Sequence, residues 1–362
     1  GIGWDAVTDP FMGYIAERTS SKRGRYRPYI FFGTIPLALS FVLLFWVPPL
    51  EGVSLFLCLL IINIFHRTCF TIVSVPYSSL TPRITSDSEE RTKLTTARMI
   101  GASFGTLLMS SLGFPIINYF GQDNESLGII YLSSFAACFA VIILYITYAS
   151  VKESSTKEIK ETYPSVSKLI LSILKNYPFW IVFSSILILG STTIMFNKNL
   201  IYYIKYALDL HSYQGLVLGL SGLSSFTSIP FWSYVSLKIG KRNTWQISMS
   251  LLLLAFALFY FYQINSLQEL IIIVCLIGLA SGAGGVLFWS MLPDTIEYGE
   301  WKSGIRSESS LYGFMTFAQK SSIAVAALVL GILLTLINFS PNEIQTPETL
   351  VGLKNIMSLI PA

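Results

Sequence analysis

Apolar runs of about twenty residues, each long enough to cross a hydrocarbon core about 30 Å thick, recur along the whole chain. They fall at about residues 1–17, 29–48, 53–80, 97–120, 127–149, 178–206, 214–236, 244–263, 268–292, 309–338 and 349–362. Inside lipid no water reaches the backbone, so its N–H and C=O groups have to be paired within a helix or around a closed barrel. The period-two alternation of a membrane barrel is absent, which leaves helices. The pattern predicts an all-α polytopic membrane protein of eleven segments, the first and last too short to span.

Composition agrees with this, since 53% of the residues are hydrophobic and only 12% charged, roughly half the charge density of a soluble domain. The net charge of +4 reads as a topology signal rather than as the mark of an acidic partner such as nucleic acid. Lys and Arg collect in alternate loops: Arg18, Lys22, Arg23, Arg25 and Arg27, then Arg83, Arg91 and Lys93, then Lys152, Lys157, Lys160, Lys168 and Lys175, then Lys238, Lys241 and Arg242, then Lys302 and Arg306. The intervening loops, near Glu51, Gln122, His211, Asn265 and Asn342, hold none, with Lys205 and Lys354 at the margins of neighbouring segments. Cytoplasmic loops gather positive charge, so the first segment is predicted to end in the cytoplasm. One more crossing before residue 1 would place the N-terminus of a complete chain in the cytoplasm and bring the total to twelve, so the present chain is expected to be truncated at both ends.

The Lys- and Glu-rich stretch 151–177 separates an N-terminal bundle, 1–150, from a C-terminal bundle, 178–362. Weak internal repetition supports that division: Val75-Pro76-Tyr77-Ser78-Ser79-Leu80-Thr81-Pro82 resembles Leu287-Phe288-Trp289-Ser290-Met291-Leu292-Pro293, each expected to close a helix. Gly13-Tyr14-Ile15 and Ser233-Tyr234-Val235 likewise precede basic turns. Cys58, Cys69, Cys138 and Cys275 lie inside apolar runs without C-x-x-C spacing, which argues against both disulfides and zinc.

A charge at mid-membrane costs about 2.5–3.5 kcal/mol by insertion scales, so such a residue marks function by default. Asp5 and Asp9, four residues apart, share a helical face and lie about 6 Å from one another. Two carboxylates that close in low dielectric call for a bound cation, a proton or a basic partner. Thr8 and Thr71 could add hydroxyl oxygens, which suit a hard cation. Lys320, deep in the tenth segment, is a charge able to compensate Asp5 or Asp9, either as a switch or as a static ion pair. Arg67, Thr71, Ser74 and Ser78 form a polar stripe on one face of the third segment, expected to line a cavity, and Asn197, Lys198 and Asn199 interrupt the sixth. His66 reads as a hydrogen-bonded packing histidine rather than a proton relay. The pairs Gly101 and Gly105, Gly215 and Gly219, and Gly278 and Gly282 predict close helix contacts.

Two long motifs then match a known family. Trp4-Asp5-Ala6-Val7-Thr8-Asp9-Pro10-Phe11-Met12-Gly13 with Arg23-Gly24-Arg25-Tyr26-Arg27-Pro28, and Leu292-Pro293-Asp294-Thr295-Ile296-Glu297-Tyr298-Gly299-Glu300-Trp301-Lys302-Ser303-Gly304-Ile305-Arg306 with Glu308 and Lys320, resemble the glycoside-pentoside-hexuronide:cation symporters of the major facilitator superfamily. The resemblance spans essentially the whole chain. It implies two six-helix halves, about eleven helices being present, and alternating access that couples uptake of a sugar or glycoside to Na+ or H+. By position it makes Asp5, Thr8, Asp9 and Thr71 the cation site. It makes Arg98 a residue near the sugar and Lys320 the link between the two sites, with Arg67, Ser74, Ser78 and Lys198 as further substrate or coupling residues. Arg23, Arg25, Arg27, Asp294, Glu297 and Arg306 become a cytoplasmic gate. Thr8, Ser74 and Ser78 depart from the family's ligands, and Arg67 has no basic counterpart there; an arginine facing the carboxylates favours H+ coupling or an uncoupled carrier over Na+. No prosthetic cofactor, metal or catalytic residue is expected. The expected setting is a monomer in a bacterial inner membrane. A lysolipid carrier of the same superfamily, a non-transporting sensor and a truncated remnant are the alternatives; a membrane-bound enzyme is poorly served by a chain with only His66 and His211.

Overall fold

The structure, a computed structural model, describes residues 2–122, 124–153, 165–264 and 266–362. Lys157, Lys160 and Asn265, used above to read the loops, lie outside the described residues, as does the middle of the 151–177 connection. Among the described residues there are thirteen α-helices and no strand. They are α1 (Ile2–Glu17), α2 (Arg27–Leu44), α3 (Gly52–Ser78), α4 (Thr81–Ile84), α5 (Ser88–Gly121), α6 (Glu125–Ser150), α7 (Val166–Leu174), α8 (Tyr177–Tyr202), α9 (Gln214–Ile239), α10 (Lys241–Phe261), α11 (Leu267–Ser303), α12 (Glu308–Leu336) and α13 (Pro347–Ser358).

Eleven of these fall on the eleven apolar segments, and eight are long and apolar enough to cross a membrane. Their outer faces are greasy: only 17% of the most apolar stretch of α3 and of α6 is buried, and Val53, Leu254 and Phe261 stand out by 75%, 66% and 80%. This is the surface that lipid, not water, would cover.

Three expectations need correction. The fourth segment starts nine residues earlier than hydropathy suggested, at Ser88, because the Asp87 carboxylate accepts from the N–H groups of Glu89 and Glu90 and caps a polar first turn. The ninth does not close at Pro293 but runs through it to Ser303, so the repeat matches in sequence and not in helix end. The connection 151–177, read as a loop, contains α7. In the first two cases the helix outlasts the apolar run, which hydropathy alone cannot see.

The chain gathers into two compact units, each assembled from three stretches. One holds Gly1–Arg91, Gly101–Phe179 and Leu292–Phe317; the other holds Thr92–Ile100, Trp180–Met291 and Ala318–Ala362. In the first, α2 packs on α3 and α6, and α1 on α3. Its turn Arg25–Arg27 is clasped by one side chain, Glu153, whose carboxylate accepts from the N–H groups of Arg25, Tyr26 and Arg27 at 2.7, 2.9 and 2.9 Å. Gly24 at φ +105° makes the preceding bend, which few L side chains adopt.

In the second unit, Phe196, Leu200, Val217, Phe256, Phe259 and Ile273 form the main apolar core. Gly278 and Gly282 are pressed on the backbone of Ser221 and Ser225, as the spacing predicted. The other two glycine pairs are not contact points among the described residues, where a Cβ on Gly101, Gly105, Gly215 or Gly219 would meet nothing within 4 Å. Four-residue glycine spacing permits a close approach; only a partner backbone makes one.

Candidate functional site

The first helix of the chain carries its charges inward. Asp5 and Asp9 on α1 are both fully buried, one turn apart, and α3 supplies a partner for each. Arg67 Nη1 forms an ion pair with Asp5 Oδ2, while its Nε donates to Asn63 Oδ1 at 3.3 Å. Thr71 Oγ1, one turn further along α3, donates to Asp9 Oδ1 at 2.6 Å. Trp4 Nε1 donates to Thr68 Oγ1 at 3.0 Å, a third tie between the two helices. The four-residue repeat thus works on both sides: positions 5 and 9 of α1 meet positions 67 and 71 of α3.

Backbone packing closes this site from another side. A Cβ on Gly313 of α12 would stand 2.5 Å from the Asp9 carbonyl oxygen, and one on Gly13 would run into the Ser309 carbonyl. Ser309 Oγ donates to the Gly13 carbonyl at 2.6 Å. Only glycine at 13 and 313 lets α12 touch α1 this closely.

The remaining sequence candidates distribute as follows. The stripe on α3 meets α1 at Arg67 and Thr71, with Arg67 32% exposed, while Ser78 is buried and Ser74 Oγ has no hydrogen-bond partner among the described residues. Thr8 turns its proton back to the Trp4 carbonyl at 3.1 Å and makes no hydrogen bond to either carboxylate among the described residues. His66 Nδ1 shares a 3.1 Å hydrogen bond with Ser40 and packs on Phe41 and Phe70, the packing role expected of it. In the second unit Arg98 lays its guanidinium over the Trp289 ring at 4.7 Å, Lys320 is half-buried on α12, and Lys198 is exposed on α8. Asn199, beside Lys198, is a structural residue that donates to the Leu353 carbonyl at 2.9 Å.

The gate residues separate into two sets. Arg23 sits over Phe31 and Arg27 over Tyr148, whose carbonyl it also binds at 2.8 Å. Arg25 lies close enough to Glu17 to act on its charge. Asp294 and Glu297 instead meet Arg91, a residue 1% exposed, at 3.8 and 2.6 Å. Arg306 binds Glu300 and Glu308 at 2.5 Å each.

Glu308 is the centre of a buried cluster that sequence reasoning did not assemble. Its carboxylate also takes Arg83 Nε at 2.5 Å and the Tyr26 hydroxyl at 3.1 Å, while its backbone N–H donates to Glu17 at 2.7 Å. Ser310 Oγ completes the Glu17 carboxylate at 2.6 Å. Burial alone would lower the pKa of the Arg306 guanidinium, but the Glu308 and Glu300 carboxylates outweigh it and hold the charge firmly. Glu17 at the end of an apolar run was the available signal in the sequence.

The whole chain, residues 3–362, matches the family described as MFS/sugar transport protein. Among curated relatives, the glucuronide carrier protein homolog of Escherichia coli (strain K12) is 26% identical over 99% of this chain and 78% of the relative. The isoprimeverose transporter of Lactiplantibacillus pentosus is 27% identical over 96% of this chain and 73% of the relative. Of solved structures, the E. coli fucose:proton symporter superposes with a TM-score of 0.67 at 10% identity, covering 98% of this chain and 86% of that one. A proton:xylose symporter of the major facilitator superfamily, bound to 6-bromo-6-deoxy-D-glucose, gives 0.64 at 13% identity, with 99% and 82% covered. At such identities these two likenesses speak for the fold, while the family match spans the sequence itself. The chain belongs to the MFS/sugar transport protein family, as an integral membrane protein of the major facilitator fold and of the glycoside-pentoside-hexuronide:cation symporter type.

Proposed function

We propose that this transporter carries a sugar or glycoside by alternating access, coupled to H+ rather than Na+, with Asp9 as the proton carrier. The observation behind this reading is the Arg67–Asp5 ion pair. Two carboxylates a turn apart need positive charge, and Arg67 already brings one that cannot leave. A Na+ seated about 5 Å from that guanidinium would be repelled by about 3 kcal/mol at an effective dielectric of 20, on the order of a hundredfold in affinity. A proton bonds to a single oxygen of Asp9 and needs no shell of ligands, whereas Na+ would need several oxygens and Asp5 already gives one of its own to Arg67. The contact with Thr71 also survives protonation: Oδ1 goes on accepting the hydroxyl proton while Oδ2 carries the new one. Asp5 keeps Arg67 as its partner, so the two aspartates divide the work between them.

The substrate class is supported by the family and by the names of its relatives, a glucuronide carrier homolog and an isoprimeverose transporter. Arg98, braced on the buried Trp289 ring, is proposed as the residue near the sugar, its guanidinium supplying N–H donors, and Lys320, Lys198, Ser74 and Ser78 are proposed as further substrate or coupling residues. We propose Arg23, Arg25, Arg27, Asp294, Glu297 and Arg306 as a cytoplasmic gate and extend it to their buried or paired neighbours Glu17, Arg83, Arg91 and Glu308.

The test is uptake of a panel of labelled pentosides, glycosides and hexuronides into membrane vesicles containing the chain. An imposed pH gradient is expected to drive accumulation of at least one sugar, a Na+ gradient is expected to drive none, and Asp9→Asn is expected to abolish accumulation while leaving sugar exchange measurable. Accumulation driven by Na+ alone would sink the proton reading.

A further inference from the structure

The helix α7 has an unusual outer face for a loop segment. Leu169, Ser172 and Ile173 turn inward and are buried, but Val166, Ile170, Leu171 and Leu174 are 49–59% exposed. A helix facing water does not present four large aliphatic side chains within nine residues. Two aromatic residues stand out beside it, Tyr177 at 69% and Trp301 at 80%, the residue types that collect at the membrane–water boundary.

Between α7 and the last turns of α11 lies a cavity of about 290 Å³. Lys168, Lys175 and Lys302 line it, and no carboxylate does. The acidic residues of the same part of α11 are engaged elsewhere, Glu297 with Arg91 and Glu300 with Arg306. None of the three lysines forms an ion pair among the described residues. Lys302 is held in place by the Lys175 carbonyl at 3.2 Å and by the Tyr298 ring at 5.6 Å. The two serines that line the cavity, Ser172 and Ser303, donate back to their own helices, and Asn176 Nδ2 donates to the Thr295 carbonyl, so the ammonium groups are its charged donors.

We propose that this cavity binds the headgroup of an anionic phospholipid, with the aliphatic outer face of α7 lying among the acyl chains. Three ammonium groups around one small space call for a phosphate, and they act as point charges that need no particular stereochemistry. The apolar face of α7 and the exposed Trp301 favour a phosphate that carries hydrocarbon over a free one. The lipid would tie the connection between the two bundles to the membrane surface, independently of which ion or sugar the carrier moves.

The experiment uses the purified full chain in detergent, stripped of lipid, then offered phosphatidylglycerol or phosphatidylcholine in mixed micelles, with bound lipid read by native mass spectrometry. Phosphatidylglycerol is expected to be retained and phosphatidylcholine washed out. A juxtamembrane lysine is worth roughly five-fold in binding, so Lys168→Gln should weaken retention about five-fold and the triple Gln variant of Lys168, Lys175 and Lys302 on the order of a hundredfold. The triple Arg variant should retain the lipid. If the triple Gln variant fails to fold, the single Lys168→Gln, at an exposed position, carries the comparison. Equal retention of the two lipids, or no loss on removing the lysines, would overturn the proposal. So would competition by glycerol 1-phosphate at the same concentration as phosphatidylglycerol, which would make this a site for a soluble anion.

Discussion

Arg67 is where a single side chain changes what the protein can do. Its guanidinium is 32% exposed and its partner Asp5 fully buried, so the pair stands between an exposed ion pair and a dry one, and losing it should cost on the order of 1–3 kcal/mol. Arg67→Ala would leave two carboxylates with one fewer positive charge, and a cation from solution is the natural replacement. The expected outcome is that NaCl, compared with KCl, raises the melting temperature of Arg67→Ala but not of the parent protein, and that Na+ begins to drive uptake in the variant. A parent protein already stabilised by Na+ would show that Arg67 does not fill that role. Asp5 and Asp9 were legible in the sequence because a charge inside an apolar run has to be explained. Arg83 and Glu308 were not, since charges near helix ends are ordinary there, and Glu17 offered only its place at the end of an apolar run; the burial that sets Glu17 and Glu308 apart is a property of the fold.

Among the helices, the glycines divide those that touch from those that merely pass. Gly13 holds α1 against the Ser309 carbonyl, where an added methyl has no room, and Gly101 on α5 faces open space. Gly13→Ala is therefore expected to destabilise the protein by about 1–3 kcal/mol through overpacking. Gly101→Ala should be neutral, or stabilising by up to about 1 kcal/mol, because alanine loses less freedom on entering a helix. Thermal melting of the two purified variants beside the parent checks both, and equal losses would mean that the α1–α12 contact is loose. Sequence spacing could not separate these cases, for the pattern Gly-x-x-x-Gly is the same at 101 and at 278. Hydropathy found eleven helices because membrane thickness sets their length. It missed α4 and α7, which are short, and the ends of α5 and α11, where the helix continues into polar sequence held by Asp87 or by Arg91 and Arg306.

At the scale of the molecule, the alternation of loops with and without Lys and Arg makes a prediction about sidedness. In a cysteine-free background, Lys22→Cys lies in a basic loop and Ile344→Cys in one without Lys or Arg, and both positions are exposed. A membrane-impermeant maleimide added to intact cells should label Ile344→Cys at once and Lys22→Cys only after the membrane is permeabilised; the reverse pattern would invert the topology. The buried cluster around Glu308 carries a consequence for the order in which the protein can be made. Arg83 and Glu308 are 225 residues apart in the chain and meet within one compact unit. At about 5–20 residues per second, ribosomes deliver Glu308 roughly 10–45 s after Arg83. Through that interval Glu17, Tyr26 and Arg83 have left the ribosome and lack their shared partner. The helices that carry these residues therefore enter the bilayer as an unfinished body, and the joint at Glu308 closes only once α12 has followed them.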